Sequence, residues 1–442
     1  MTVSMVTLLM GLAVGQAEVT SKWPGFLGQG ATPLTAEQVP LVWSPETGIA
    51  WHTELDGLGQ SSPVVWGGFV YLTTVDGVNK ERLIVTSMSL KDGSVRWRHK
   101  AVSTNPEPSS LYISRAAPTP VVDEAGVYAY FEGGDVVAVA HDSQLLWTRS
   151  LTKEYGKPKN KFGLSASPVQ TDQSVIVLVD DEGPSYLVAL DKQTGKTLWK
   201  TDRGSRVSWS SPGLITIDGR PVVVCSSAGS VDGYDPQTGM QMWSYKDVGG
   251  NTATTPVAAG PNAFLVSASA GREGENAAGA RKSNGLFRIG TSEGMPLPEF
   301  AWRTTEATVS WASPVVLDQH AYWVNRAGVV YCFDLATGEK RYASRIKQAP
   351  WATPLAVGNR LYLFGKDGLT SVIQSGTEFK VLAENALWAT EQVPVDKNPT
   401  AAEETEERRR AAAMFSGTTV YGVAAIPGTI LIRTGSHLYA VR

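Results

Sequence analysis

The sequence predicts an all-β fold: one eight-bladed β-propeller whose N-terminal strand closes the last blade. Three observations predict it. A small residue and a proline, followed by a β-rich run, recur seven times along the chain. A turn rich in Asp, Thr and Gly, followed by an aromatic residue, recurs at intervals close to a four-stranded blade. The C-terminus holds three strands of such a unit, and the fourth stands near the start. Composition agrees. The 442 residues include 44 Gly and 14 Trp, and only 18% are charged, below the roughly 25% of an average soluble protein.

The elements follow in chain order. Residues 1–17 carry no charged side chain, residues 5–14 are apolar, and Gly15-Gln16-Ala17 suits a cleavage site. A signal peptide over 1–17 and a periplasmic or secreted bacterial protein are the expectation. The absent Lys or Arg in that segment leaves a cytoplasmic protein with an apolar tail as the alternative. No stretch reaches 18 apolar residues, so no membrane span is expected. Residues 18–48 form an N-terminal extension, and 49–442 the propeller.

The blade starts are Ser61-Ser62-Pro63, Pro118-Thr119-Pro120, Ala166-Ser167-Pro168, Ser210-Ser211-Pro212, Thr254-Thr255-Pro256, Ala312-Ser313-Pro314 and Ala352-Thr353-Pro354. Proline is tolerated there because the first residue of a strand owes no ladder donor. The aromatic positions Trp51, Trp97, Trp147, Trp199, Trp243, Trp302 and Tyr342 are spaced by 46, 50, 52, 44, 59 and 40 residues. Trp51, Trp97, Trp147, Trp199 and Trp243 are expected to dock each blade on its neighbour, where an indole buries a large area. In the clearest turn, Asp191-Lys192-Gln193-Thr194-Gly195, Asp bonds the following backbone and Gly supplies the left-handed position. Residues 421–441 give three strands and 48–53 the fourth; ring closure of this kind removes exposed sheet edges. Two segments interrupt the pattern: an insert loop at 271–284 and a helical insertion at 385–414. In the second, Thr400 and Glu403 form a capping box, and Glu404/Arg408 and Glu406/Arg410 fall at i,i+4, so 401–413 reads as a surface helix.

The pattern Ala-x-Asp-x-x-Thr-Gly-x-x-x-Trp, complete at 189–199 and partial in four other blades, resembles the tryptophan-docking repeat of the PQQ-like (pyrroloquinoline-quinone-type) β-propellers. Trp23-Pro24-Gly25-Phe26-Leu27-Gly28 is similar to a segment preceding such propellers in secreted bacterial proteins, with Leu27 where Arg is usual. The resemblance spans about 23–442. It implies the fold and two functional classes: quinoprotein dehydrogenases, with PQQ and calcium in the central cavity, and cofactor-free scaffolds such as the outer-membrane assembly lipoprotein BamB. The adjacent Cys-Cys pair of many dehydrogenases is missing, since Cys225 and Cys332 sit two blades apart. So is a lipidated Cys after the leader.

Other chemistry finds little support. A net charge of −3 argues against nucleic acid as a partner. The five histidines lack metal-ligand spacing, so no metal site is expected. Gly195-Lys196-Thr197 lacks the first glycine of a phosphate loop, and no Gly-x-Ser-x-Gly elbow is present. Trp209, Trp311 and Trp351 each stand three residues before a blade proline, where Gln60, Ala117, Ser165 and Ala253 stand elsewhere. With Arg115, Lys161, Asn251 and Arg326 nearby, they form a candidate ligand-binding mouth of the channel. Packing of these Trp between blades is the competing reading.

The reading is therefore a non-catalytic exported scaffold. It binds a protein or small ligand at a propeller face, as a monomer and without a cofactor. The alternative is a PQQ- and calcium-dependent alcohol or sugar dehydrogenase.

Overall fold

The computed structural model of the chain describes residues 21–442 except 32, 112, 161, 272–273, 397–404, 407–408 and 411–415. The 1–17 leader, Lys161, the Thr400/Glu403 capping box and the Glu404/Arg408 pair lie outside the described residues.

Eight four-stranded antiparallel sheets make the ring. In blade 1 the strands run Val64–Trp66, Phe69–Asp76, Arg82–Ser89 and Val95–Val102 from the channel outwards. Blades 2 to 7 repeat this order over 121–150, 169–203, 213–245, 257–304, 315–345 and 355–386. Blade 8 joins Gly422–Ile426, Thr429–Arg433 and His437–Val441 to the N-terminal strand Ile49–Glu54, with Trp51 opposite Ala440. Middle strands are buried on both sides, and they read as runs such as Val-Ile-Val-Leu-Val in blade 3. The fourth strand of blade 7, Lys380–Ala386, takes the first two residues assigned by sequence to the 385–414 insertion.

A bulge interrupts the pairing of the third and fourth strands in all eight blades. In seven of them the docking aromatic sits beside it. Trp51, Trp97, Trp147, Trp199 and Trp302 each donate Nε1–H to a turn carbonyl of the following blade, those of Leu90, His141, Lys192, Pro236 and Leu335. The turn glycine lies flat on the indole. At Gly195, with φ +69°, an added Cβ would stand 2.6 Å from the Trp147 ring. Asp191 holds the same turn by accepting from the Thr194 amide at 2.7 Å. Trp243 stacks on Phe264 and Phe287 of blade 5 but donates to no acceptor among the described residues, because that blade replaces the turn with a longer hairpin. In blade 7 the position is Ala383, and Trp388 instead packs on Tyr439.

A second ring binds the blades at the channel. From blade 2 to blade 7 the hydroxyl residue before the blade proline accepts the amide of its counterpart in the preceding blade. Ser62 donates to Thr119, Thr119 to Ser167, and Ser167 to Ser211. The series continues from Ser211 to Thr255, Ser313 and Thr353, at 2.8–3.3 Å throughout. Blade 8 has Gly422 at this position, packed so closely on Ser62 that no Cβ would fit. There the seam is held by Arg433, which is fully buried and donates to the Ser61 and Thr73 carbonyls.

Candidate functional site

A cavity of about 1230 Å³ fills the axis of the ring. Its ends differ. Across one end runs the segment 23–31. Trp23 exchanges backbone hydrogen bonds with Val65 of blade 1, and Pro24 accepts from Val122 of blade 2. Gln29 donates to the Leu214 carbonyl of blade 4. Phe26 and Leu27 face the cavity, against Val257, Val316 and Ala356 on the inner strands of blades 5, 6 and 7. The extension thus floors the channel and makes it a cup.

The other end is an aromatic mouth. All seven positions three residues before a blade proline lie on the cavity wall: Gln60, Ala117, Ser165, Trp209, Ala253, Trp311 and Trp351. The three tryptophans are half-buried. Trp311 and Trp351 lie 4.5 Å apart, ring centre to ring centre. Tyr421 meets Trp351 edge-on at 6.5 Å, and the Arg326 guanidinium stands 5.7 Å over Trp311. Across the cup, Trp209 packs 5.6 Å from Phe162 and donates Nε1–H to the Gly163 carbonyl. The rim adds Glu275 and Asn276 from the blade 5 insert, and Glu406 and Arg410 from the insertion before blade 8. Glu406 and Arg410 pair at 3.2 Å, the expected i,i+4 contact.

Two of the mouth residues expected from sequence lie behind the wall. Asn251 is fully buried; it accepts from the Gly229 amide and donates to Ser226 Oγ and the Ser230 carbonyl. It shapes a turn of blade 4 and has no atom left for a ligand. Arg115 is 2% exposed. Burial lowers its pKa, an effect opposed by Tyr421, Asp396 and Glu132. Sequence spacing put both near the mouth but could not say which way they point. The row was extended by Tyr421 and Phe162, which spacing alone did not single out. Tyr421 had a signal, since it stands directly before the residue at the hydroxyl position of blade 8.

Below its rim the wall carries no charged side chain among the described residues. Six ring hydroxyls, those of Ser62, Ser167, Ser211, Thr255, Ser313 and Thr353, line it. Pyrroloquinoline quinone with calcium would need cations facing its carboxylates and several oxygen ligands on the metal. Among the described lining residues there are two carboxylates, Glu275 and Glu406, both at the rim on separate insertions. Among the described residues no cluster of three His, Cys, Asp or Glu could hold a metal. The donor set of the described residues does not fit that cofactor. Both thiols are buried, with burial pushing Cys225 up to about 12 and Cys332 up to about 11, the wrong direction for a nucleophile. No described helix is long and apolar enough to cross a membrane.

Comparison with known proteins gives a consistent family. The family model described as outer membrane protein assembly factor BamB matches residues 24–160 and 157–286. The outer membrane protein assembly factor BamB of Yersinia pestis is 24% identical over 288 residues, 64% of each chain. The chain therefore spans somewhat less than two thirds of that relative's length. Among solved structures, BamB from Moraxella catarrhalis matches with TM-score 0.57 at 12% identity, covering 88% of this chain and 98% of its own. A quinohemoprotein alcohol dehydrogenase from Comamonas testosteroni matches with TM-score 0.58 at 12% identity, covering 95% and 80%. At such identities the structural likeness speaks for the fold alone.

Proposed function

The chain belongs to the family described as outer membrane protein assembly factor BamB, and from that premise we propose that it is a non-catalytic, exported propeller scaffold that binds at its open mouth. The observation that carries this reading is the character of the cup. An aromatic row is presented at the rim over a wall of hydroxyls, and among the described residues no acid–base pair, reactive thiol or metal-binding cluster lies inside. Membership in this family favours the bacterial periplasm as its compartment. The dehydrogenase alternative draws on the shared fold and meets a wall that does not suit its cofactor.

The test is a titration with PQQ and Ca²⁺ that follows melting temperature and dye-linked dehydrogenase activity. No shift and no turnover at saturating cofactor are expected; turnover would sink the scaffold reading. A photo-crosslinker placed at Tyr421 should capture a binding partner in the cell envelope. One placed at exposed Val102, on the outer strand of blade 1, should not.

A further inference from the structure

We infer that the cup takes a neutral oligosaccharide, with sugar faces on the Trp311–Trp351 row and sugar hydroxyls against the hydroxyl ring. The inference rests on the reading that the open mouth is a binding site, and names the ligand class. Three properties of the wall select it. The first is the pair of half-buried indoles at 4.5 Å, with Tyr421 edge-on beside them. Pyranose rings carry axial C–H groups on faces that lie against the negative face of an aromatic ring.

The second is the hydroxyl ring. Each of Ser167, Ser211, Thr255, Ser313 and Thr353 uses a lone pair to accept a neighbouring amide. Its own O–H and second lone pair remain for the cavity. A purely apolar occupant would strip water from these groups and return no hydrogen bond, an unfavourable exchange repeated around the ring. A polyol satisfies them, because each sugar hydroxyl both donates and accepts.

The third is charge. Among the described residues the wall below the rim has no ionised side chain, so a phosphate, a carboxylate or a metal finds no partner among them there. At the rim, Glu406 pairs with both Arg409 and Arg410, while Arg326 makes no ion pair among the described residues. A single guanidinium above an indole suits a vicinal diol, which it can meet with two parallel N–H donors. The floor made by Trp23, Phe26 and Leu27 gives the chain of sugars an end to enter by and none to leave by. A cavity of about 1230 Å³ has room for several units.

The experiment is calorimetric and fluorescence titration of the full chain with maltotetraose, cellotetraose and chitotetraose. At least one is expected to bind saturably and to quench tryptophan emission. Trp351→Ala should weaken it roughly tenfold or more, as the loss of a central aromatic anchor does. Ser62→Ala is the gentler variant, because the Ser62 hydroxyl makes no hydrogen bond among the described residues; it should weaken binding about threefold, as for one lost neutral hydrogen bond. Absence of binding by all three at millimolar concentration would overturn the inference, and so would binding that both variants leave unchanged. Crosslinking at Tyr421 to a protein, with no sugar bound, would overturn the ligand class while leaving the scaffold reading in place. Dye-linked turnover with PQQ would remove the scaffold reading itself.

Discussion

Tryptophan closes one end of the channel and lines the other, and the two sets are held in different ways. Trp23 is 9% exposed, lies on a segment paired through its backbone to blade 1, and is surrounded by the inner strands. Trp311 and Trp351 are half-buried and stand beside each other, with Tyr421 edge-on to Trp351 and Arg326 over Trp311. The difference comes from where each stands in the repeat. A residue three before the blade proline precedes the first strand and lies on the cavity wall. Trp23 stands outside the repeats and forms backbone bonds of its own with the ring. One set is therefore structural, and the other is presented.

The largest effect should come from removing the floor. Trp23→Ala takes a nearly buried indole from a packed site and should cost about 3–5 kcal/mol, the range for large aromatic truncations. Urea unfolding measures it; a loss below about 1 kcal/mol would mean that the segment rests on the ring without stabilising it. Gly28→Ala probes the same contact more finely. Gly28 has φ +69°, and an added Cβ would stand 2.6 Å from the Trp23 ring. Strain and collision together should cost about 1–3 kcal/mol. An unchanged midpoint would show that the indole can move aside.

Much of this contrast could be read in the sequence, and some could not. The blade count, the closure by Ile49–Glu54 and the docking role of Trp51, Trp97, Trp147 and Trp199 follow from a repeated pattern, because each copy reinforces the others. The mouth position of Trp209, Trp311 and Trp351 follows for the same reason. The floor was out of reach. Trp23, Phe26 and Leu27 belong to no repeat, and their partners lie far away in the chain. The hydroxyl ring was hidden in plain letters. Ser and Thr before the prolines read as small residues, and their lateral hydrogen bonds appear only once neighbouring blades are set side by side. Arg115 and Asn251 lie behind the wall, and spacing did not show it, because a charge or an amide close to the mouth in sequence does not reveal that the side chain is buried, or, for Asn251, already bonded to a turn of blade 4.

Lower pH should separate the two ends next. The insertion that carries Glu406 and Arg410 over the mouth is tethered by Asp396. Its carboxylate accepts from Thr434 Oγ1, the Gly435 amide, and the Ser436 amide and hydroxyl at 2.8–3.2 Å. Burial raises its pKa, but hydrogen bonds from His437, Ser436 and Thr434 outweigh it, and the net shift is downward from 3.8. A depressed carboxylate contributes stability that is present above the unfolded value and lost as pH falls through the folded one. Below about pH 4 the tether should loosen. The segment 23–31, which contains no titratable side chain, should hold. Hydrogen exchange at 390–396 and 416–420, compared with 23–31, reads the difference. Equal protection at both ends down to pH 3 would contradict it.

The smallest stability effect should come from the mouth itself, and that smallness is the informative result. Trp311→Ala removes as large a side chain as Trp23→Ala does. Truncating Trp23 opens a hole within packed surroundings, so the lost transfer energy is joined by a cavity term. Truncating Trp311 widens a space that is already open, and water enters it, so only the partial burial against Trp351 and the contact with Arg326 are lost. The expected cost is under about 1 kcal/mol, a shift in melting temperature of no more than about 2 °C in a chain of this size. A fall as large as that of Trp23→Ala would place Trp311 among the packing residues and erase the distinction between the two ends. A small fall leaves an aromatic surface that the fold does not need for its own stability, standing at the entrance of the cup.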